Sequence, residues 1–463
     1  MRNLLRDLVR ESSGYVELRY HDRHSNSVAV EQGRVEGAQK NRRRGVGVRV
    51  LEDGSFGFAS TSRVDAASIR GAITRARAAA RGGSAYRREA VADLAPVELA
   101  TGTFTDPAFE TLSEKPLDEK VGLALEMEQA VRASSTQVQS GQCRYSEIFE
   151  EKVIATSDGA DAEVRLVRPE FRVGAVAARG GELQRASESI GVTGDWECLF
   201  ERAKPEQLAE RASRTAVDLL SAGYPEGGTA TVILAPALVG LLAHEAIGHT
   251  VEADFVQSGS VAQGKLGARV ASDLVTLVDS GASELVDGAG GTLPVDDEGV
   301  PAGRTTVIES GFLRSYLHNR ESAARFGVAP TGNARAWEFS DQPLIRMRNT
   351  YIEPGDATLE EMIAGVTDGY LLEGPQGGQA DATGEFMFGV QEARRIRNGR
   401  LGELVRGVTI SGIAFEVLQT VDAVSREFRW DLGSGYCGKF QPAKVDAGGP
   451  YLRCRALLGG RQS

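Results

Sequence analysis

Cysteine is sparse in this chain. Four residues (Cys143, Cys198, Cys437 and Cys454) are scattered through 463, too few and too dispersed for a disulfide framework. A basic excess is also missing: the formal charge is −11, so no overall field draws the chain to nucleic acid. Local basicity in KNRRRG (40–45) reads as a solvated turn between strands. No apolar run approaches the roughly 20 residues that a membrane-spanning helix needs. The opening MRNLLRDLVRESSG has charges inside its apolar stretch and no small-residue cleavage site. It reads as an amphipathic helix with Leu4, Leu5, Leu8 and Val9 on one face, not as a signal peptide. These absences exclude a disulfide scaffold and predict a cytoplasmic protein with neither nucleic acid nor membrane as partner.

What is present is an ordinary globular composition, long enough for two or three domains. YVELRYH (15–21) and NSVAVEQG (26–33) have strand period, and GVGVRVLEDGSFGFAS (45–60) reads as a hairpin turning at Asp53–Gly54. A helix follows from Ser62 or Asp65, then an irregular, proline-bearing stretch to about residue 117. Further helices are expected over 117–135 and 205–223, with alternating strands between them. GYPEGG (223–228) looks like a linker, which divides the chain into 1–224 and 225–463. Short strands and glycine-rich loops dominate the second part. The order of elements argues for an α+β fold. It predicts an N-terminal domain of mainly antiparallel strands with flanking helices, and a strand-rich C-terminal domain.

Only five histidines occur, and two of them bracket a glutamate in His244-Glu245-Ala246-Ile247-Gly248-His249. The approach TATVILAP (229–236) reads as a buried strand, with Pro236 in the first turn of the helix that carries this motif. At i and i+4 two side chains lie about 40° apart around a helix and meet one metal ion. At i and i+5 they lie about 140° apart, so an ideal α-helix points the rings away from each other. A π-type bulge brings them back to one face, and unwinding near Gly248 is the other solution. The continuation TVEADF favours the bulge, since it keeps helical propensity. Two neutral imidazoles suit zinc, and an adjacent glutamate suits a base that moves the proton of an attacking water.

A third protein ligand is then needed. Glu252 and Asp254 follow closely and are the bland choices. Cys437 is the sharper one, because DLGSGYCGKFQP lets backbone approach a site and Lys439 favours a thiolate. Cys454 lies in strand-like sequence without such a loop and stays second. GSGYCG matches a dinucleotide fingerprint in form, but the prolines and glycines after it forbid the helix that fingerprint requires. Asp296, Asp297 and Glu298 read as a turn. Arg335, Arg346 and Arg348 suit a peptide carboxylate, an oxyanion or a solvated strand equally well. Tyr436 is a candidate transition-state donor or a packing residue, and His318 an ordinary histidine. Nothing in the sequence assigns a residue to substrate binding.

In order along the chain, HEAIGHTVEADF, VDDEGVPAG, PTGNARA, RMRNTYIEPG, GGQADATGEFMF and GSGYCGK resemble the TldD/PmbA family of zinc metallopeptidases, also called modulators of DNA gyrase. The complete His-Glu-x-x-x-His motif is similar to the catalytic, TldD-type subunit. The resemblance implies His244, His249 and Cys437 as zinc ligands and Glu245 as general base. It also implies hydrolysis of unfolded or short peptides within a two-subunit particle, and a part in maturing peptide natural products. The partner it implies is a PmbA-type sibling, or a second copy in a homodimer. Two other readings stand beside it: a non-catalytic scaffold subunit, and a metallohydrolase of a non-peptide amide.

Overall fold

The computed structural model describes residues 1–86 and 89–460. Residues 87 and 88, within the stretch expected to be irregular, and residues 461–463 lie outside the described residues. Helix α1 (Arg2–Arg10) buries Leu5, Leu8 and Val9, as its spacing predicts. It is followed by β1 (Tyr15–Glu31), β2 (Arg34–Glu52) and β3 (Ser55–Thr61). The β2–β3 turn is Asp53–Gly54, both with positive φ (51° and 68°), which gives the twist a two-residue hairpin needs. Asp65 caps α2 (Ala66–Ser84) by accepting the N–H of Ser68 at 2.9 Å.

Two expectations are corrected in this region. The strands YVELRYH and NSVAVEQG are one unbroken strand, β1. KNRRRG is the middle of β2 and not a turn, with Arg42, Arg43 and Arg44 opposite His24, Arg23 and Asp22. The ladder continues there because acids from elsewhere meet the charges: Arg42 pairs with Asp22 at 2.5 Å and Arg43 with Glu338 at 3.0 Å. The stretch before residue 117 is also more regular than expected. It holds β4 (Thr101–Thr105), a parallel edge strand on β6, and α3 (Ala108–Glu114). Edge position explains the weak pattern, since no residue of TGTFT is buried.

Then come α4 (Leu117–Ala133), β5 (Val138–Thr156), β6 (Asp161–Arg179), β7 (Glu182–Gly191), α5 (Trp196–Arg202) and α6 (Pro205–Leu219). The seven strands form one sheet in the order β3-β2-β1-β5-β6-β4, with β7 also on β6, and every pairing but β4–β6 is antiparallel. Helices α4 and α6 bury Ala124, Met127, Leu208 and Ala212 against Tyr145, Phe171 and Val173.

From β8 (Gly228–Leu234) onward the strands build other sheets. One of these closes on itself: Asp368–Ala380, β8, Leu452–Gly459, Val408–Ile413 and Glu385–Arg397 pair in turn, and the last pairs back to the first. The inward residues of this ring, such as Phe386, Phe388, Leu372 and Cys454, share one core with the apolar side of the motif helix. The architecture is mixed α+β with mainly antiparallel sheets.

Asp296–Glu298 form a turn, as expected, ending at Gly299 with φ 81°. The turn is buried, however, and lies where the first sheet meets the second half. Arg49 bonds both Glu17 and Glu298, Lys152 reaches Asp297 at 3.1 Å, and Arg320 N–H donates to Glu298 at 2.8 Å. Backbone N–H groups of Glu298, Val300 and Ala334 donate to Asp296. These acids therefore join two parts of the fold.

Candidate metal centre

Strand β8 is buried from Val232 to Leu234, and Pro236 occupies the first turn of α7 (Pro236–Leu241). Leu238, Val239, Leu242, Ala243, Ala246 and Ile247 drive this helix into the core. From Leu242 to Gly248 the backbone is π-wound, and the N–H of His249 donates to the carbonyl of His244. The predicted distortion is therefore present. It brings the rings of His244 and His249 to a centroid separation of 5.3 Å, nearly perpendicular at 81°.

Gly248 serves this turn through its small size. Its φ of −54° is open to any residue, but a Cβ there would lie 1.9 Å from the sulfur of Met347. The expected helical continuation through TVEADF is corrected. One 3₁₀ turn (His249–Val251) is followed by extended Glu252 and a short helix, Ala253–Gln257. Extended Glu252 bridges to Leu317, and that contact ends the helix.

Cys437 lies on the strand Tyr436–Lys439, paired with Gln441–Lys444. The glycines before it permit close approach of backbones, although not to the metal site. A Cβ on Gly433 would meet Gly191 O at 2.0 Å. Arg346, fully buried, donates to the Cys437 carbonyl at 2.6 Å and so fixes the strand. The ligand-type atoms of His244, His249 and Cys437 all lie within 4.8 Å of one another, although Cys437 is 188 residues from His249 in sequence.

Electrostatics within this cluster are those of a charge pair. Burial opposes ionisation of the Cys437 thiol, but the two imidazoles outweigh it and bring its pKa down to about 5. Burial likewise opposes charge on His249, which the Glu252 carboxylate and Cys437 overcome, raising it to about 10. The donor set of two imidazoles and a thiolate fits zinc. The more specific observation is His244. It is buried, and neither of its ring nitrogens has a hydrogen-bond partner among the described residues, a costly arrangement that a bound cation relieves.

Glu252 was expected as a possible ligand and is placed otherwise. It is fully buried and accepts from Nδ1 of His249 at 2.9 Å, leaving Nε2 facing Cys437 at 3.1 Å. It therefore fixes ring orientation and tautomer from behind. Lys439, expected to favour the thiolate directly, donates to Glu252 (3.1 Å), Asp254 (2.8 Å) and the Ile345 carbonyl (3.0 Å). Asp254 too is thus engaged away from the cluster. Glu245 stands beside it, its carboxylate 3.7 Å from His249 Nε2 and about one-third exposed. Its cleft of about 430 Å³ is also lined by His249, Phe255, Ala380, Asp381 and Phe440.

The other candidates separate from this site. Cys454 is fully buried in the ring of strands, its thiol pushed up to about 12 by burial. Arg335, Arg346 and Arg348 are buried and donate to carbonyls of Met347, Lys444, Gln441 and Cys437 and to Asp279, so they are neither solvated nor turned to a ligand. Tyr436, opposite in pleat to Cys437, bonds Glu170. His318 bonds Ser322 at 3.0 Å, and burial lowers its pKa to about 4. Three roles escape a sequence reading: Glu252 as an orienting group, Arg346 as the support of the Cys437 strand, and Phe440 at the cleft. The only signal for the first was its three-residue distance from His249.

The sequence matches three consecutive domains described as PmbA/TldA metallopeptidase domain 1 (16–80), central domain (110–220) and C-terminal domain (227–458). A metalloprotease of Methanothermobacter thermautotrophicus is 36% identical over 451 residues, covering 96% of this chain and 95% of that protein. A zinc metalloprotease TldD homolog of Saccharolobus solfataricus is 32% identical over 324 residues, covering 68% of this chain and 70% of its own. In fold, the chain is similar to a crystal structure from Thermotoga maritima described as a modulator of a DNA gyrase (TM-score 0.81, 21% identity, 99% of each chain). It is equally similar to TldE from Thermococcus kodakarensis (TM-score 0.80, 20% identity, 99% of each chain). No described helix is long and apolar enough to cross a membrane. The chain belongs to the TldD/PmbA family of metallopeptidases.

Proposed function

We propose that this chain is a zinc-dependent peptidase of the TldD type that hydrolyses unfolded or short, extended peptides in the cytoplasm. The observation that carries this reading is the convergence of His244, His249 and Cys437, with the buried ring nitrogens of His244 lacking a hydrogen-bond partner among the described residues. His244, His249 and Cys437 hold the zinc. When bound, it supplies Lewis acidity for polarising a carbonyl oxygen. Glu245 projects into the cleft beside the cluster. Its carboxylate takes the proton of an attacking water and returns it to the leaving amine. Glu252 and Lys439 hold His249 in place while that happens. The active unit is a two-subunit particle, with a PmbA-type sibling or a second copy as partner, and its physiological work is maturation of peptide natural products.

The test is metal analysis joined to a cleavage assay on denatured peptides. About one zinc per chain is expected in the wild type and in Cys454→Ser, and none in Cys437→Ser. Glu245→Gln keeps the metal and loses cleavage. Retention of zinc by Cys437→Ser overturns the ligand set, and normal cleavage by Glu245→Gln overturns the base.

A further inference from the structure

The tip of the ligand-bearing hairpin carries a side chain that folding does not ask for. Lys439 pairs with Gln441, so Phe440 alone links the two strands, with φ at 60°. That conformation favours glycine and strains a bulky residue. The ring also packs against almost nothing, being 97% exposed. A ring left in water contributes almost nothing to folding while the strained backbone opposes it, and glycine would relieve that strain. Phe440 nevertheless lines the same cleft as Glu245 and His249.

The rest of that cleft points to what the ring meets. Lys439 is already engaged by Glu252 and Asp254, and Asp381 by the N–H groups of Thr383 and Glu385. The remaining side chains are largely apolar: Phe255, whose ring lies 6.2 Å from that of His249, with Ala380 and Ala382. We infer that Phe440 is a specificity residue, which with Phe255 takes an apolar, preferably aromatic, side chain of the peptide beside the bond presented to Glu245. This rests on the peptidase reading and names the substrate class of that site.

The test uses the full chain, zinc-loaded, in a Glu245→Gln background that holds peptides uncleaved. The probes are a fluorescent peptide of about ten residues with one central phenylalanine among serines and alanines, and its twin with serine at that position. The phenylalanine peptide binds about tenfold more tightly than its twin, the size of one well-packed aromatic contact. In Phe440→Gly that ratio falls to near one, while the melting temperature stays level or rises. An unchanged ratio overturns the inference and leaves the peptidase reading standing, whereas no binding of either peptide overturns both. A lowered melting temperature assigns the ring to folding and overturns it. A dimer that becomes monomeric in Phe440→Gly with the ratio intact gives the ring to a second copy, and overturns it too.

Discussion

The backbone N–H of His249 donates to the carbonyl of His244, so the two candidate ligands are joined by a single i→i+5 hydrogen bond. In an α-helix that N–H would reach Glu245, and the rings would diverge by about 140°. The π turn therefore creates the cluster, and it depends on Gly248 having no side chain beside Met347. Gly248→Ala should cost about 1–3 kcal/mol through overpacking. It should also lower zinc content by separating the rings. Met347→Ala opens that space at its own cavity cost of about 2–5 kcal/mol, so the stability losses of the double variant should fall well short of their sum and its zinc content should partly recover. Urea unfolding and metal analysis of the two single variants and the double check this, and additive effects would argue against the contact as the cause.

Part of this was legible beforehand. Two histidines five apart, around a glutamate on an apolar helix, converge through a π turn or through unwinding near Gly248, so spacing narrowed the backbone geometry to two solutions. Cys437 stood out by its glycine-rich loop, although the close approach there is that of Gly433 to Gly191 and Gly290. What stayed hidden depends on partners distant in sequence. Glu252 at three residues from His249 fits a ligand or a support equally well, and Lys439 decides between them from 187 residues away. The KNRRRG run could not be read as a strand without Asp22 and Glu338 to meet its charges. Burial of Arg346 and Arg348 has no sequence signal, because their partners are mostly backbone carbonyls.

Glu252→Gln keeps the shape of the side chain but removes the charge behind His249. It accepts from His249 at 2.9 Å and from Lys439 at 3.1 Å, so the substitution also leaves a buried ammonium less compensated. Zinc affinity should fall by about 10–100-fold, as for other groups that orient a ligand histidine. Competition with a chelator reads that loss. An affinity equal to that of the wild type would mean that ring orientation does not need Glu252.

Glu373 and Glu392 face each other across the strands Asp368–Ala380 and Glu385–Arg397. Burial first, and Glu392 second, raise the Glu373 pKa to about 7, with Arg429 and Arg394 opposing. The folded value lies above the unfolded one, near 4.5, so the contribution favours folding at low pH. It is lost as pH rises from about 4.5 to 7 and stays lost above. Glu373→Gln should match the wild type near pH 5 and exceed it by about 1–3 kcal/mol at pH 8. Denaturant midpoints at the two pH values check this, and a difference independent of pH would place the effect in packing.

Arg49 offers a test of how the two parts of the fold are joined. It is buried between Glu17 at 2.6 Å and Glu298, linking the first sheet to the buried acidic turn. Removing only the cation leaves two carboxylates in a dry setting, so Arg49→Met should cost about 3–5 kcal/mol. Neutralising the whole group should not. The triple variant Glu17→Gln, Arg49→Met, Glu298→Gln removes the stranded charges, although Glu298→Gln also weakens the acceptor for Arg320 N–H at 2.8 Å. It should recover most of the loss, because a buried ion network contributes little net stability beyond compensating its own desolvation. Urea unfolding of the two variants measures the difference. If the triple variant is no more stable than Arg49→Met, the guanidinium acts by packing over Phe56, 4.5 Å from that ring, and charge compensation is not its main role.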